Sequence, residues 1–305
     1  MTAAPLSLAR LVHDFPALGE SLRGAERAAA TDAPILVLGE PGSGRSTLAR
    51  ALHGASRRAA GPLVEVDPGV VPSTLFESEF FGYRAGAFTG AEKASEGRVA
   101  RAEGGTLVLD HVEELPLAVQ PKLLRLVAER RYSPLGGGEA EADVRFVALG
   151  SEDLPARVAR ETFRPDLFYR LEVLAFRLPP LRERRRDLPA ILDHLLADLA
   201  ERFDRPGLEL APRARAWMLE HSWPGNLRQL RNMLERGLIL AEDGPVDPPA
   251  PEGSTEGRPR PLLEVEKELI RKALAYTRGH QGRAADLLGI SRKALWEKRR
   301  RYGIP

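Results

Sequence analysis

Residues 39–46 read GEPGSGRS, and this stretch decides the fold class of the first half of the chain. Its glycines let consecutive backbone N–H groups turn toward one phosphate at the amino end of a helix. The stretch matches the phosphate-loop pattern G-x-x-x-x-G-K-[ST] except at Arg45, which stands where the pattern has lysine. It therefore predicts an α/β domain with a phosphate-binding loop in which arginine replaces the usual lysine.

The segments on either side of this loop support the same prediction. The apolar strand ILVL precedes the loop, and the helical stretch STLARALHGA follows it. We expect the loop and the start of the helix to bind a nucleotide, whereas the alternative is a glycine turn that merely joins a strand to a helix. The predicted nucleotide-binding residues are Gly39, Glu40, Gly42, Ser43, Gly44, Arg45, Ser46 and Thr47.

Arg45 keeps the positive charge of the expected lysine but not its shape. A guanidinium is a wide planar fork, whereas the lysine ammonium is a compact point charge that fits between the β- and γ-phosphates of a nucleotide. We therefore expect nucleotide binding with altered phosphate contacts.

A second strand, in GGTLVLDHV at 104–112, ends in two polar residues. Asp110 is expected at its carboxyl end, as in a Walker B strand, and with Ser46 it forms the predicted Mg²⁺ site. His111 follows, where an ATPase usually has a glutamate that orients and deprotonates water. An imidazole beside phosphates favours its protonated form and is a poor base, and losing such a base typically costs a factor of about 10² to 10⁴. A histidine that only packs beside the sheet is the alternative.

Residues 86–91 read GAFTGA, which is similar to the signature loop of sigma-54-dependent transcriptional activators, the bacterial enhancer-binding proteins. Those proteins are AAA+ ATPases that remodel an RNA polymerase holoenzyme. The residue types agree, because glycines around an exposed aromatic residue and a threonine suit a mobile loop that grips a protein. The resemblance implies the sigma-54 RNA polymerase holoenzyme as a partner, contacted through Gly86, Ala87, Phe88, Thr89, Gly90 and Ala91.

The resemblance extends from about Leu11 over nearly the whole chain and includes FRPDLFYRL, LPPLRERRRDL and WPGNLRQL. By this match Arg164 and Arg170 are similar to arginine fingers, which reach the nucleotide of a neighbouring subunit, and Arg228 to the sensor arginine of a helical lid. An arginine fork can stabilise charge on a transferring phosphoryl group, whereas surface ion pairing is the alternative role. The resemblance further implies ATP and Mg²⁺ as cofactors and self-association into hexameric rings.

Four positions around the nucleotide depart from the family pattern. Besides Arg45 and His111, Ser151 in VRFVALGS and Asp67 in VEVD each stand where the family has an asparagine. In the family, the asparagine aligned with Asp67 pairs with the Walker B glutamate as a switch that reports the γ-phosphate. An Asp67–His111 pair can replace it, since carboxylate and imidazolium are natural partners. The candidate catalytic residues are His111, Asp67, Ser151, Arg164, Arg170 and Arg228.

The chain is predicted to have three folded parts and one linker. Residues 1–175 are expected to form the α/β nucleotide-binding part of an AAA+ domain with a parallel sheet, because strands alternate with helical patterns there. From about Leu188 the strands stop and apolar residues recur at helical spacing, so 176–242 is expected to be a helical lid. Residues 243–261 hold six prolines and three glycines in nineteen positions, which predicts an interdomain linker.

Residues 262–305 combine a positive charge with the pattern of a small all-α domain. Eleven Lys and Arg face five Asp and Glu here, a net charge of +6, which leaves −4 for residues 1–261 out of the total of +2. GRAADLLGISRKALWEKRRRYGI resembles the Fis-type helix-turn-helix that these activators use at enhancer sites, with Ser291 capping the third helix. This predicts DNA at enhancer-like sites as a partner, whereas a solvated basic face is the alternative. The predicted DNA-binding residues are Ser291, Arg292 and Lys293, toward base edges, and Lys298, Arg299, Arg300 and Arg301, toward phosphates.

Composition argues against several other classes of protein. No run of 18 or more apolar residues and no secretory signal pattern is present, so we expect a cytoplasmic protein without a membrane partner. The absence of cysteine excludes disulfides, thiolate metal sites and a cysteine nucleophile. Because the match begins near residue 11, we expect no sensory domain before it, and regulation through expression, a partner protein or assembly.

Three functions are compatible with the sequence. The first is an oligomeric ATPase whose hydrolysis drives open-complex formation, which the GAFTGA loop and both finger arginines favour. The second is a DNA-bound regulator that binds ATP as an assembly signal but hydrolyses it slowly or never, acting in mixed rings with active relatives or as a repressor, and the four altered positions favour it. The third, a DNA-binding protein with a decayed nucleotide fold, is the least favoured, because Ser46, Asp110 and Arg228 are retained.

Overall fold

The strand that precedes the phosphate loop, β1 (Ile35–Gly39), is an interior strand of a five-stranded parallel sheet. This computed structural model describes residues 6–241, 244–250, 262–277 and 279–304. The other strands in these residues are β2 (Leu63–Val66), β3 (Gly82–Tyr83), β4 (Ser95–Glu96), β5 (Thr106–Leu109), β6 (Arg131–Tyr132), β7 (Ala140–Glu141), β8 (Arg145–Gly150) and β9 (Leu174–Leu178). The sheet has the order β2-β5-β8-β1-β9, and β3-β4 and β6-β7 form separate antiparallel pairs. The parallel α/β sheet predicted from the sequence is therefore confirmed.

Helices connect the parallel strands, because parallel pairing requires a crossover between consecutive strands. The helices in the described residues are α1 (Leu8–His13), α2 (Pro16–Ser21), α3 (Ala25–Ala29), α4 (Arg45–Gly54), α5 (Ser73–Phe81), α6 (Arg98–Arg101), α7 (Gln120–Glu129), α8 (Leu154–Ala159), α9 (Pro165–Leu171), α10 (Leu188–Arg202), α11 (Pro212–Glu220), α12 (Asn226–Leu240), α13 (Leu262–Tyr276), α14 (Gln281–Leu287) and α15 (Arg292–Tyr302). Short 3₁₀ turns at Val112–Glu114 and Leu181–Glu183 follow β5 and β9.

Both faces of the sheet are covered. Alternate residues of β1 point to opposite faces, so that Ile35 and Val37 pack in one buried cluster with α1–α4 and α10–α12. Leu36 and Leu38 pack in a second cluster with α5, α7 and α9. Burial on both faces explains why β1 and β5 read as continuous apolar runs rather than as alternating patterns.

Helices α10, α11 and α12 form the helical lid, and the lid extends further along the chain than the sequence indicated. Val246, inside the predicted linker, is fully buried in the lid cluster. Its backbone N–H donates to the Glu209 oxygen at 2.7 Å, and its oxygen accepts from the Ala211 N–H at 2.9 Å. An extended segment among prolines can still bury one apolar side chain and pair its backbone, which composition alone does not reveal. Residues 251–261 of the predicted linker lie outside the described residues.

The chain divides into two compact units, Met1–Pro251 and Glu252–Pro305. In the second unit α13, α14 and α15 enclose a small apolar cluster of their own. The Ser291 hydroxyl accepts from the backbone N–H of Ala294 at 3.1 Å, so it caps α15 as predicted. Gly289 (φ 65°) lies in the turn between α14 and α15, where a left-handed conformation is needed.

Candidate functional site

A cavity of about 500 Å³ lies where the phosphate loop, the end of β5, the first helices and the lid meet. Its polar lining comes from loop residues, from Asp110 and His111, and from further charged or polar residues that include Arg184, His194, Asp198, Arg228 and Arg231. The apolar lining residues are Leu6, Leu11, Phe15, Leu18, Leu48, Leu178, Ile191, Leu195 and Leu227. A cavity that combines polar groups with apolar side chains suits a ligand that has both phosphates and a planar base.

Two glycines of the loop have backbone conformations that other residues rarely adopt. Gly44 (φ 108°) immediately precedes α4, which begins at Arg45. Gly42 (φ 78°) lies so close to the lid that a Cβ atom there would be 2.6 Å from the backbone oxygen of Gly225. The backbone N–H of Leu227 donates to the Gly42 oxygen at 3.0 Å. The loop therefore has the tight shape that places N–H groups at the start of a helix, and it rests directly on the lid.

The Arg45 side chain is turned inward at the base of the loop and is only 6% exposed. Its Nη1 donates to the backbone oxygen of Gly39 at 3.2 Å, and its Nη2 lies 3.7 Å from Oδ1 of Asp110. The planar fork of a guanidinium allows both contacts at once. Arg45 thus pairs with the carboxylate that the sequence assigns to a metal.

Asp110 contacts Ser46, the other predicted metal residue, and also the altered residues Arg45 and His111. Ser46 Oγ donates to its Oδ2 at 3.3 Å, and the backbone N–H of His111 donates to its Oδ1 at 2.9 Å. Hydroxyl and carboxylate oxygens are ligands that Mg²⁺ prefers, so the donor atoms of Ser46 and Asp110 fit this ion. The charge around them is already partly balanced, because the Arg45 guanidinium stands beside the same carboxylate.

Asp67 and His111 are in contact, as the sequence predicted. Nδ1 of His111 lies 3.0 Å from Oδ2 of Asp67 and 3.7 Å from Oδ1 of Asp110. The His111 backbone is left-handed (φ 46°), which is uncommon for a residue with a side chain. The position after Asp110 therefore holds an imidazole whose Nδ1 is hydrogen-bonded to Asp67, where the family has a glutamate carboxylate.

Ser151 makes a contact that the sequence did not indicate. Its backbone N–H donates to Oε1 of Glu113 at 3.1 Å, and its hydroxyl donates to Asp153, which holds the pKa of the Asp153 carboxyl below its usual range. Glu113 is 6% exposed, and its Oε2 has no partner in the described part of the chain. Ser151 is not one of the described residues that line the cavity. The structure therefore does not bring Ser151 together with the loop.

Glu40 links the loop to the lid region. Its carboxylate accepts from Nη1 and Nη2 of Arg182 at 2.9 and 2.6 Å and from Nδ2 of Asn226 at 3.0 Å. The hydrogen bonds from Arg182, and then from Asn226, lower the pKa of the Glu40 carboxyl. Sequence reasoning assigned Glu40 to the nucleotide and missed both partners. In the sequence, Arg182 and Asn226 are marked only by their place in LPPLRERRRDL and WPGNLRQL, two of the stretches that carry the family resemblance.

The arginines with predicted roles in hydrolysis lie in two places. Arg228 lines the cavity at the start of α12. Arg164 precedes α9, where it pairs with Asp166 at 2.7 Å, and Arg170 lies in the last turn of α9, where it donates to the Ala128 oxygen at 3.2 Å. Neither Arg164 nor Arg170 is among the described residues that line the cavity, and both are exposed. Both arginines therefore lie at the surface and outside the cavity of their own chain.

The GAFTGA loop is short and closed at its base. The Gly86 N–H donates to the Ala91 oxygen at 2.8 Å, and the Ala91 N–H donates to the Phe88 oxygen at 3.0 Å. Phe88 is 43% exposed, and its ring centroid lies 4.9 Å from that of Tyr83. Thr89 is exposed beside it. The loop thus presents an aromatic ring and a hydroxyl to solvent on a fixed base.

The basic residues of α15 differ in their surroundings. The exposed ones, with the cap, are Ser291, Arg292, Lys293, Arg300 and Arg301. Lys298 pairs with Glu266 of α13, which raises the pKa of Lys298, and Arg299 is half-buried. The Arg300 guanidinium lies 5.6 Å from the ring centroid of Trp296. Lys298, about one third exposed, is therefore held against α13 by this ion pair, and its contact with phosphates stays a prediction.

Family comparisons agree with this geometry. Residues 11–177 match the sigma-54 interaction domain, residues 182–250 match the AAA+ ATPase lid domain, and residues 261–302 match the Fis family of bacterial regulatory proteins. The chain belongs to the sigma-54-dependent transcriptional regulators. In this regulator an AAA+ domain and its lid precede a helix-turn-helix domain.

Individual relatives of this sigma-54-dependent regulator match over most of its length. It is 39% identical to the regulatory protein AtoC of Escherichia coli over 96% of this chain and 68% of AtoC. It is 40% identical to the C4-dicarboxylate transport regulator DctD of Rhizobium meliloti over 96% of this chain and 64% of DctD, so it spans about two thirds of these relatives. The crystal structure of NtrX from Brucella abortus in complex with ATP has a TM-score of 0.72 at 31% identity, over 97% of this chain and 72% of NtrX.

Within the described ranges, no helix of the regulator is long and apolar enough to cross a membrane.

Proposed function

We propose that this regulator binds ATP between the loop and the lid, binds DNA through α15, and hydrolyses ATP only slowly on its own. The observation that carries the proposal is the contact of 3.0 Å between Nδ1 of His111 and Oδ2 of Asp67. An imidazole held by a carboxylate occupies the position where the family has the glutamate that orients water. Binding and assembly then become the main roles of the nucleotide.

Nucleotide binding is supported by the shape and charge of the cavity. The loop ends at the amino end of α4, Arg45 and Arg228 supply positive charge, and apolar side chains also line the cavity. Ser46 and Asp110 would hold Mg²⁺, which would supply further neutralisation of the phosphate charge. The crystal structure of NtrX with ATP, whose fold is similar, adds support for ATP as the ligand.

Slow hydrolysis is expected from the residues at the positions where the family has its water-orienting glutamate and its sensor asparagine. Loss of a general base typically costs a factor of about 10² to 10⁴ in rate. Nδ1 of His111 lies within hydrogen-bond distance of Asp67, and the Ser151 hydroxyl donates to Asp153. Two of the altered positions therefore lack the groups that the family uses, although the residues for binding are retained.

We propose further that the GAFTGA loop contacts the sigma-54 holoenzyme and that Arg164 and Arg170 act on the nucleotide of a neighbouring subunit in a ring. The exposed Phe88 and Thr89 support the first contact, and the exposure of both arginines supports the second. In a ring shared with an active relative, this subunit would supply Arg164 and Arg170 to the nucleotide site of its neighbour. Its own site would meanwhile stay occupied by ATP. An arginine finger supplied by a neighbouring subunit raises the rate of phosphoryl transfer by a factor of about 10³ to 10⁵.

A self-sufficient ATPase is the second candidate. The exposed Phe88 and the exposed Arg164 and Arg170 favour it, because these are the parts that a motor uses outside its own nucleotide site. It differs from the first candidate in one observable, since hydrolysis at a shared interface must rise with protein concentration.

The test measures phosphate release and ATP binding together on the full chain, with DNA, at several protein concentrations. Binding with little turnover at every concentration supports the nucleotide-gated regulator. Turnover that rises with concentration supports the self-sufficient ATPase, and absence of binding contradicts both.

A set of variants locates the defect. Arg45→Lys, Asp67→Asn and His111→Glu together restore three of the four altered positions, and Asp67→Asn keeps the new glutamate from facing the Asp67 carboxylate. We expect phosphate release at least about 10²-fold faster than in the native chain. The matched control is Arg45→Lys alone, which leaves the His111 position unchanged and should recover much less. A triple variant that folds and binds ATP but is no faster than the native chain contradicts our account of the defect.

A further inference from the structure

The Arg45 guanidinium holds two contacts at the place where the cavity meets the predicted metal residues. Nη1 donates to the Gly39 oxygen at 3.2 Å, and Nη2 lies 3.7 Å from Oδ1 of Asp110. The side chain is 6% exposed and lines the cavity, so this cation lies within the site rather than in solvent. A fixed positive charge therefore stands beside the carboxylate that a divalent cation would otherwise approach.

A guanidinium has enough donors to serve the protein and a phosphate together. It has five N–H donors in a rigid fork, of which the contacts to Gly39 and Asp110 engage only part, and fork geometry matches phosphate oxygens in pairs. A lysine ammonium has three donors at one point and cannot bridge the same groups. Arg45 can thus link Asp110 to a phosphate directly, a connection that otherwise needs a metal ion between two anions.

We propose that Arg45 replaces much of the charge neutralisation that Mg²⁺ would supply, so that the site binds ATP nearly as well without a divalent cation as with one. The inference rests on the proposed binding of ATP. Two effects act in the same direction. Arg45 adds attraction for the phosphates that does not depend on metal, and its charge beside Asp110 opposes the entry of a second cation.

The experiment titrates ATP into the full chain in two buffers, one with excess Mg²⁺ and one with EDTA. For the native chain we expect dissociation constants that agree within about threefold, and for Arg45→Lys a constant at least about tenfold weaker in EDTA than in Mg²⁺. A native chain that loses as much affinity in EDTA as Arg45→Lys does overturns the inference while leaving ATP binding intact. Absence of binding in both buffers overturns the proposed function as well.

Asp110→Asn supplies a second measurement that does not depend on Arg45→Lys being folded. If Asp110 serves Arg45, this variant changes ATP affinity by the same factor in both buffers. If Asp110 serves the metal, affinity falls in Mg²⁺ and not in EDTA, and that result overturns the inference. Thermal unfolding of each variant without nucleotide establishes that the compared proteins are folded.

Discussion

Nδ1 of His111 lies 3.0 Å from Oδ2 of Asp67, and the two residues belong to turns that follow neighbouring strands, β5 and β2. The carboxyl ends of adjacent parallel strands meet at one edge of the sheet, which is where ligands of open α/β folds bind. Two residues that each depart from the family pattern are therefore partners of one another. Their joint replacement preserves a contact at this edge while changing both of its chemical groups.

Asp67→Asn should weaken this contact with little effect on stability. Both side chains are about one third exposed, so we expect a loss of about 1 kcal/mol or less in the free energy of unfolding. The effect should appear instead in the response to ATP, measured as the change in sedimentation when ATP is added to the full chain. Asp32→Asn, which disturbs an ion pair with Arg58 instead, serves as the control. An ATP response equal to that of the control would argue against a switch at this position.

Glu40→Gln should uncouple the loop from Arg182. The native pair has two hydrogen bonds, of 2.9 and 2.6 Å, so we expect a loss of about 1 kcal/mol in the free energy of unfolding at neutral pH. Because the folded pKa of Glu40 lies below its ordinary value of 4.5, the stabilisation is fully present above pH 4.5 and is lost as pH falls through the lowered pKa. The stability difference between native chain and variant should therefore be constant from pH 6 to 8 and should shrink below about pH 4.5. A difference that changes within the neutral range would contradict this assignment.

His53 should make stability fall in mildly acidic solution. Its imidazole is buried, with Nδ1 2.9 Å from Oγ1 of Thr106, and burial first and Arg145 second lower its pKa from 6.5. The unfolded chain then binds the proton more readily, so stability is complete above pH 6.5 and decreases as pH falls toward the lowered folded pKa. We expect a smaller loss of stability between pH 7.5 and 5.5 in His53→Gln than in the native chain, measured by urea unfolding. An equal loss of stability over this pH range in His53→Gln and in the native chain would contradict the assignment to His53.

Arg301→Ala and Lys298→Ala should affect DNA binding in different ways. Arg301 is exposed on α15, so its removal should reduce the slope of log K against log salt concentration by about 1 on a duplex of random sequence. Lys298 is paired with Glu266, so its removal should leave the slope nearly unchanged and lower the thermal stability of the second unit. Equal slopes for the two variants would show that the pairing with Glu266 does not withhold Lys298 from DNA.

The local features of the fold could be predicted from the sequence. The apolar strands β1 and β5, the glycine turn before α4 and the cap at Ser291 each depend on a few neighbouring residues. The Asp67–His111 contact was also predictable, because the two departures coincide and their groups are chemically complementary. Local spacing and residue chemistry were sufficient in these cases.

Long-range contacts could not be predicted in the same way. Glu40 and Arg182 are separated by 142 positions, and the pairing of β1 with β9, in which Gly39 lies opposite Leu178, brings them together. The burial of Val246 and of Glu113 likewise depends on packing that has no periodic signal in the sequence. The inward turn of Arg45 depends on the Gly39 oxygen and on Asp110, which the sequence does not place relative to the guanidinium.

The close approach of Gly42 to Gly225 couples the position of the phosphate loop to that of the lid. Since the Leu227 N–H also donates to the Gly42 oxygen, a phosphate that draws the loop inward must carry the first turn of α12 with it. The orientation of the lid would then depend on whether the ligand is bound. Under the proposed function, in which hydrolysis is slow, α12 would keep the ligand-bound position for as long as ATP occupies the loop.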